Sequence, residues 1–85
     1  MDEHEVARRA SALSDQFAAR LPAGKLAGLK AMERGGEYGE LAIELAATLA
    51  KSGAMVSSAE QRELRALLEA IGMPTQPVDK LVVRD

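Results

Sequence analysis

Glu37-Tyr38-Gly39-Glu40-Leu41-Ala42-Ile43-Glu44-Leu45-Ala46-Ala47-Thr48-Leu49-Ala50-Lys51 is the stretch whose reading decides the fold. Tyr38, Leu41, Leu45 and Leu49 recur at steps of three and four, which places them on one face of an α-helix. Ala42 lies beside that stripe, Ala46 and Ala50 widen it, and Ile43 falls on its far side. A helix apolar over most of its circumference is packed on two sides. The run from Leu41 to Ala50 is interrupted by Glu44 and is about half the ~20 residues needed to cross a bilayer, so it reads as a core helix.

Breaks on either side isolate this helix and define its neighbours. Upstream, Gly35-Gly36 favours a turn or a left-handed helix cap; downstream, Lys51-Ser52-Gly53 is a stop. Residues 23–34 read as a shorter helix with an apolar edge of Leu26, Leu29 and Met32. Gly24 and Gly28 either weaken it or permit close packing. Residues 2–20 read as the first helix, with Asp2, Glu3 and Glu5 at the end that favours negative charge and Val6, Ala10, Leu13 and Phe17 inward. Leu21-Pro22 ends it, because a residue preceding proline is pushed out of the α region.

The helix over 58–71 opens on a capping box, Ser57 with Glu60 or, in the alternative register, Ser58 with Gln61. Leu64, Leu67, Leu68 and Ile71 form its inward stripe, and Gly72 with Pro74 closes it. A last short helix over 76–82 carries Val78, Leu81 and Val82. With the central helix over 37–51, the expected fold is all-α: one domain spanning 1–85, a bundle of four main helices plus a short C-terminal one.

Composition agrees. The 85 residues hold 16 alanines and 11 leucines, the strongest helix formers, and only two aromatic residues, Phe17 and Tyr38. Valine, isoleucine, threonine, tyrosine and phenylalanine together number 11, too few for an all-β fold. The absence of cysteine removes disulfides and thiolate zinc sites. The acidic start, Met1-Asp2-Glu3-His4-Glu5, is unlike a secretory signal, and the expected location is cytoplasmic, without a membrane role. A net charge of −2 argues against nucleic-acid binding, which rests on neutralising phosphates.

Catalytic constellations are hard to assemble from these residues, and the expectation is a protein that is not an enzyme and needs no cofactor or metal. The sole histidine, His4, lies near a chain end and reads as a solvated surface residue. Glu3 and Glu5 flank it at a one-residue spacing, which points side chains to different sides of a helix. Gly35, Gly36 and Gly39 follow no strand, so a phosphate-cradling glycine loop is not expected. Acyl-carrier proteins share this size and charge. Their modified serine lies in an Asp-Ser-Leu element at a helix start, whereas Leu13-Ser14-Asp15 is reversed and mid-helix.

The net charge is unevenly spread. Between positions 33 and 44 four acids, Glu33, Glu37, Glu40 and Glu44, face one base, Arg34. Glu37, Glu40 and Glu44 share a face of the central helix, and no basic residue of that helix lies at a pairing step. This stripe is either a solvated face or an anionic surface for a basic partner, where complementary charge speeds encounter and sets specificity. Tyr38 is either a core-edge residue or a rigid amphipathic anchor at an interface. A helical docking module, self-associating through Ile43 and the alanine flank, is the other reading of this surface.

Gly36-Glu37-Tyr38-Gly39-Glu40-Leu41-Ala42-Ile43-Glu44-Leu45, with Val56-Ser57-Ser58-Ala59-Glu60 and Leu68-Glu69-Ala70-Ile71-Gly72-Met73 downstream, resembles the MafI-like immunity proteins of bacterial polymorphic-toxin systems. Those are small helical proteins with a Gly-Glu-Tyr-Gly element and a serine-led helix ending in Gly-Met. The similarity covers roughly residues 21–74. It implies a non-enzymatic protein of the contact-dependent inhibition type, one that binds the C-terminal toxin domain of a delivered effector in the cytoplasm. The toxin domain would be basic, nucleases among such domains, and the candidate contact residues are Glu33, Glu37, Tyr38, Glu40 and Glu44.

Overall fold

The computed structural model describes residues 1–85 as five α-helices. They are α1 (Glu3–Gln16), α2 (Lys25–Arg34), α3 (Tyr38–Ser52), α4 (Ser58–Ala70) and α5 (Gln76–Asp79). No helix is long and apolar enough to cross a membrane. The all-α architecture is the expected one, and the cause is the alternation of apolar stripes with strong stops. Asp2 caps α1 by accepting from the Glu5 amide at 2.8 Å. Ser57 and Glu60 form the reciprocal capping box that starts α4. Gly53 ends α3 at φ 70°, a left-handed conformation that side chains disfavour.

The core is built around α3, from which Leu41, Ala42, Leu45, Ala46 and Leu49 are all buried. Val6, Ala10, Leu13 and Phe17 meet it from the first helix, Leu29 from α2, Leu64, Leu67 and Leu68 from α4, and Val78 from α5. Alanine at the contacts lets α3 sit close to its neighbours with little side-chain entropy lost. Ile43 is not a free outer residue: it is half-buried and packed against this core.

Three expectations are corrected. The first helix does not remain α-helical to residue 20. It ends at Gln16, and Ala18–Arg20 winds as a 3₁₀ turn, with Arg20 N–H donating to the Phe17 carbonyl at 2.9 Å. Ahead of Leu21-Pro22 the chain cannot continue the α ladder, so the last turn tightens. Gly28 permits no close packing, since nothing approaches the place its Cβ would occupy.

The C-terminal helix is also shorter than the expected 76–82. After Asp79 the chain extends, and Val82–Val83 (β2) pairs in parallel with Met55–Val56 (β1), with Met55 opposite Val82 and Val56 opposite Val83. A single-turn helix has no cooperativity to hold β-branched valines, while the segment before α4 offers unpaired backbone groups. The Arg84 amide donates to the Val56 carbonyl at 2.8 Å, and the Asp85 carboxylate accepts from the Ser58 amide and hydroxyl at 2.8 to 2.9 Å. The tail thus completes the cap of α4.

Candidate partner-binding surface

The surface starts at the turn between α2 and α3. Gly36 adopts φ 72°, and the Glu37 amide donates back to the Met32 carbonyl at 2.9 Å, closing α2. Glu37 then occupies the cap position of α3, but its side chain makes no capping hydrogen bond. Its carboxylate stays in solvent, and Glu40 is equally exposed one turn on. Neither forms an ion pair. The N-terminal dipole of α3 favours both charges, so they are retained at little cost to the fold.

Beside these acids lies an open groove of about 730 Å³, walled by α1, the start of α3 and the end of α4. Glu3, His4, Tyr38, Gly39 and Ile71 line it. Tyr38 is half-buried and packs against the core while still forming part of the groove wall. It is thus a core-edge residue, the first of the two readings open from sequence, with part of its surface left on the groove wall. Gly36 and Gly39 border the groove on either side of it.

The remaining acids of the expected stripe have partners from elsewhere in the fold. Glu44 accepts from the Lys25 ammonium of α2 at 2.8 Å, and the Thr48 hydroxyl lies 3.4 Å away. The Lys25 hydrogen bond is the main reason the Glu44 carboxyl is held below its ordinary pKa. Glu33 is paired with Lys30 at 3.2 Å, and the same lysine reaches Asp15 of α1. The structure therefore leaves Glu37 and Glu40 unpaired at the start of α3, where Tyr38 walls the groove, pairs Glu33 within α2, and sets Glu44 in a brace between α2 and α3. Spacing alone allows the Lys30–Glu33 pair, which is i,i+3 within α2, but it could not reveal the Lys25–Glu44 and Lys30–Asp15 contacts, whose partners lie on different helices.

Glu60 carries more than the capping role its spacing indicated. One carboxylate oxygen accepts from Arg20 at 2.7 Å and from the Ser57 amide at 2.8 Å. The other accepts from Arg20 at 2.9 Å and from Gln16 at 2.6 Å. The bidentate guanidinium pair is the leading cause of a Glu60 pKa lowered to about 2. Arg20 also lies 4.8 Å over the Phe17 ring and reaches the Met55 carbonyl at 3.2 Å. This cluster ties α1 to α4 and to the short sheet.

The reacting groups considered from sequence are placed apart. His4 is exposed at the groove, and no three histidine, aspartate or glutamate side chains converge on a cation position. Ser14 is fully buried, so its hydroxyl is inaccessible to a modifying enzyme. The surface presents two unpaired carboxylates, a half-buried tyrosine and an open groove. In comparisons with known proteins, no family model, curated protein or solved structure matches the chain.

Proposed function

We propose that this chain is an immunity protein: a non-catalytic, stoichiometric inhibitor that binds a basic toxin domain in the cytoplasm. The observation that carries the reading is the pair of exposed, unpaired carboxylates, Glu37 and Glu40, at the start of α3, the same turn whose Tyr38 and Gly39 wall the groove. The Gly-Glu-Tyr-Gly element that resembles the MafI-like immunity proteins supplies Glu37 and Tyr38, and Glu40 follows it directly. Anionic groups steer a cationic partner into encounter and fix its orientation. A tyrosine with its ring braced by a core loses little entropy on binding and contributes as an anchor. A basic active site covered in this way is closed to an anionic substrate.

The test is co-expression with the C-terminal domain of the effector encoded immediately upstream. Cells carrying the unaltered chain are expected to survive, and Glu37→Lys with Glu40→Lys is expected to abolish protection. Glu33→Gln, at an acid already paired with Lys30, is expected to protect fully. Unchanged toxin affinity in the double reversal would show that this edge is only solvated.

A further inference from the structure

A second groove, of about 550 Å³, opens between the start of α2, the C-terminal half of α3 and α5. Three of the chain's four lysines line it: Lys25, Lys51 and Lys80. They arrive from three separate segments, and Glu44 is the only acid in the wall. Glu44 is matched to Lys25 at 2.8 Å, whereas Lys51 and Lys80 form no ion pair. Two ammonium groups without a direct ion pair therefore line one cleft in a chain whose net charge is −2, Lys51 lying near enough to the Glu44 carboxylate to help hold its pKa down. The helix dipole accounts for Lys51 in the last turn of α3. It does not account for Lys25 and Lys80, which other elements bring to the same place.

The rest of the wall has the makings of a small-molecule site. Thr48 is buried to 6% exposure, and the one hydrogen bond of its hydroxyl is the long 3.4 Å contact to Glu44. That hydroxyl is poised to turn toward a better acceptor. Ala47, Ala50 and Pro77 add apolar surface on which an organic body can rest. The volume lies within the range of roughly 300–1,000 Å³ typical of small-ligand clefts.

We propose that this groove binds a small organic phosphate monoester. A monoester carries a charge of about −1.5 to −2 near neutral pH, which matches the two free ammonium groups. Lysine binds phosphate as a mobile point charge and needs no fixed planar geometry. A carboxylate would leave one ammonium unmatched. The assignment is independent of the acidic edge and of any toxin partner.

The test is a titration of the isolated protein, followed by amide chemical shifts at constant ionic strength. The probes are phenyl phosphate, inorganic phosphate and benzoate. Phenyl phosphate is expected to give saturable shifts confined to the residues around Lys25, Glu44 to Ser52, and Pro77 to Lys80. Lys51→Gln with Lys80→Gln, both on exposed positions, is expected to weaken it about tenfold or more, and Glu44→Gln to tighten it about threefold by freeing Lys25. Circular dichroism checks that each variant keeps its helices. The proposal is overturned by shifts that never saturate, by equal affinity for inorganic phosphate or benzoate, or by a double variant that binds like the unaltered chain.

Discussion

Arg20 grips the Glu60 carboxylate with both terminal guanidinium nitrogens, at 2.7 and 2.9 Å, across 40 residues of chain. The pair joins the 3₁₀ turn after α1 to the beginning of α4, and its carboxylate also caps α4. Glu60→Ala removes the cap and leaves Arg20 without its partner. The expected loss is about 2–3 kcal/mol, read from denaturant unfolding. Glu60→Gln keeps the shape and is expected to lose less.

The same carboxylate predicts a pH dependence. Its folded pKa of about 2 lies below the ordinary glutamate value of 4.5, so the folded state binds that proton less readily. The resulting stabilisation is complete above about pH 4.5 and fades as the pH falls toward 2. The stability difference between the unaltered chain and Glu60→Gln should therefore shrink across that window. A difference that stays constant with pH would place the stabilisation elsewhere.

Phe17 is the sole phenylalanine and is wholly buried, with Arg20 stacked on its ring. Truncation to alanine is expected to cost about 3–5 kcal/mol. For so small a domain that is a large part of the total stability. Calorimetry should show a melting transition lowered by many degrees or lost.

Two glycines should respond in opposite directions. Gly28 lies inside α2 with open space around its missing Cβ, so Gly28→Ala is expected to stabilise by up to about 1 kcal/mol. Gly53 holds φ 70° at the end of α3, and Gly53→Ala is expected to destabilise by roughly 1–2 kcal/mol. Paired thermal melts read both signs.

Gly39 separates folding from recognition. The nearest atoms an added Cβ would meet are the Met73 sulfur at 3.7 Å and Ile71 Cδ1 and Met73 Cγ at 3.9 Å, ordinary contacts. Alanine should therefore be neutral for stability, or favourable by up to about 1 kcal/mol. It would also narrow the groove beside Tyr38. Under the proposed function, Gly39→Ala lowers partner affinity without loss of stability. Unaltered affinity in a binding titration would detach the groove from the interface.

The local chemistry of the chain determined most of its helices. The leucine and alanine spacing of α3, the Ser57–Glu60 box and the glycine and proline stops are short-range signals, and the structure follows them. The same spacing brought Glu37, Tyr38 and Glu40 to one end of α3. Only the tertiary structure decided that Glu44 does not stay free, because its partner Lys25 comes from α2, whereas the Glu33–Lys30 pair is local to one helix. It also decided that Val82–Val83 is a strand, since its pairing partner lies 27 residues earlier at Met55–Val56. Neither the Glu60 cluster nor the lysine groove has a signature in local sequence. Each depends on charges that attract or gather across space, and a one-dimensional pattern holds no distances between helices.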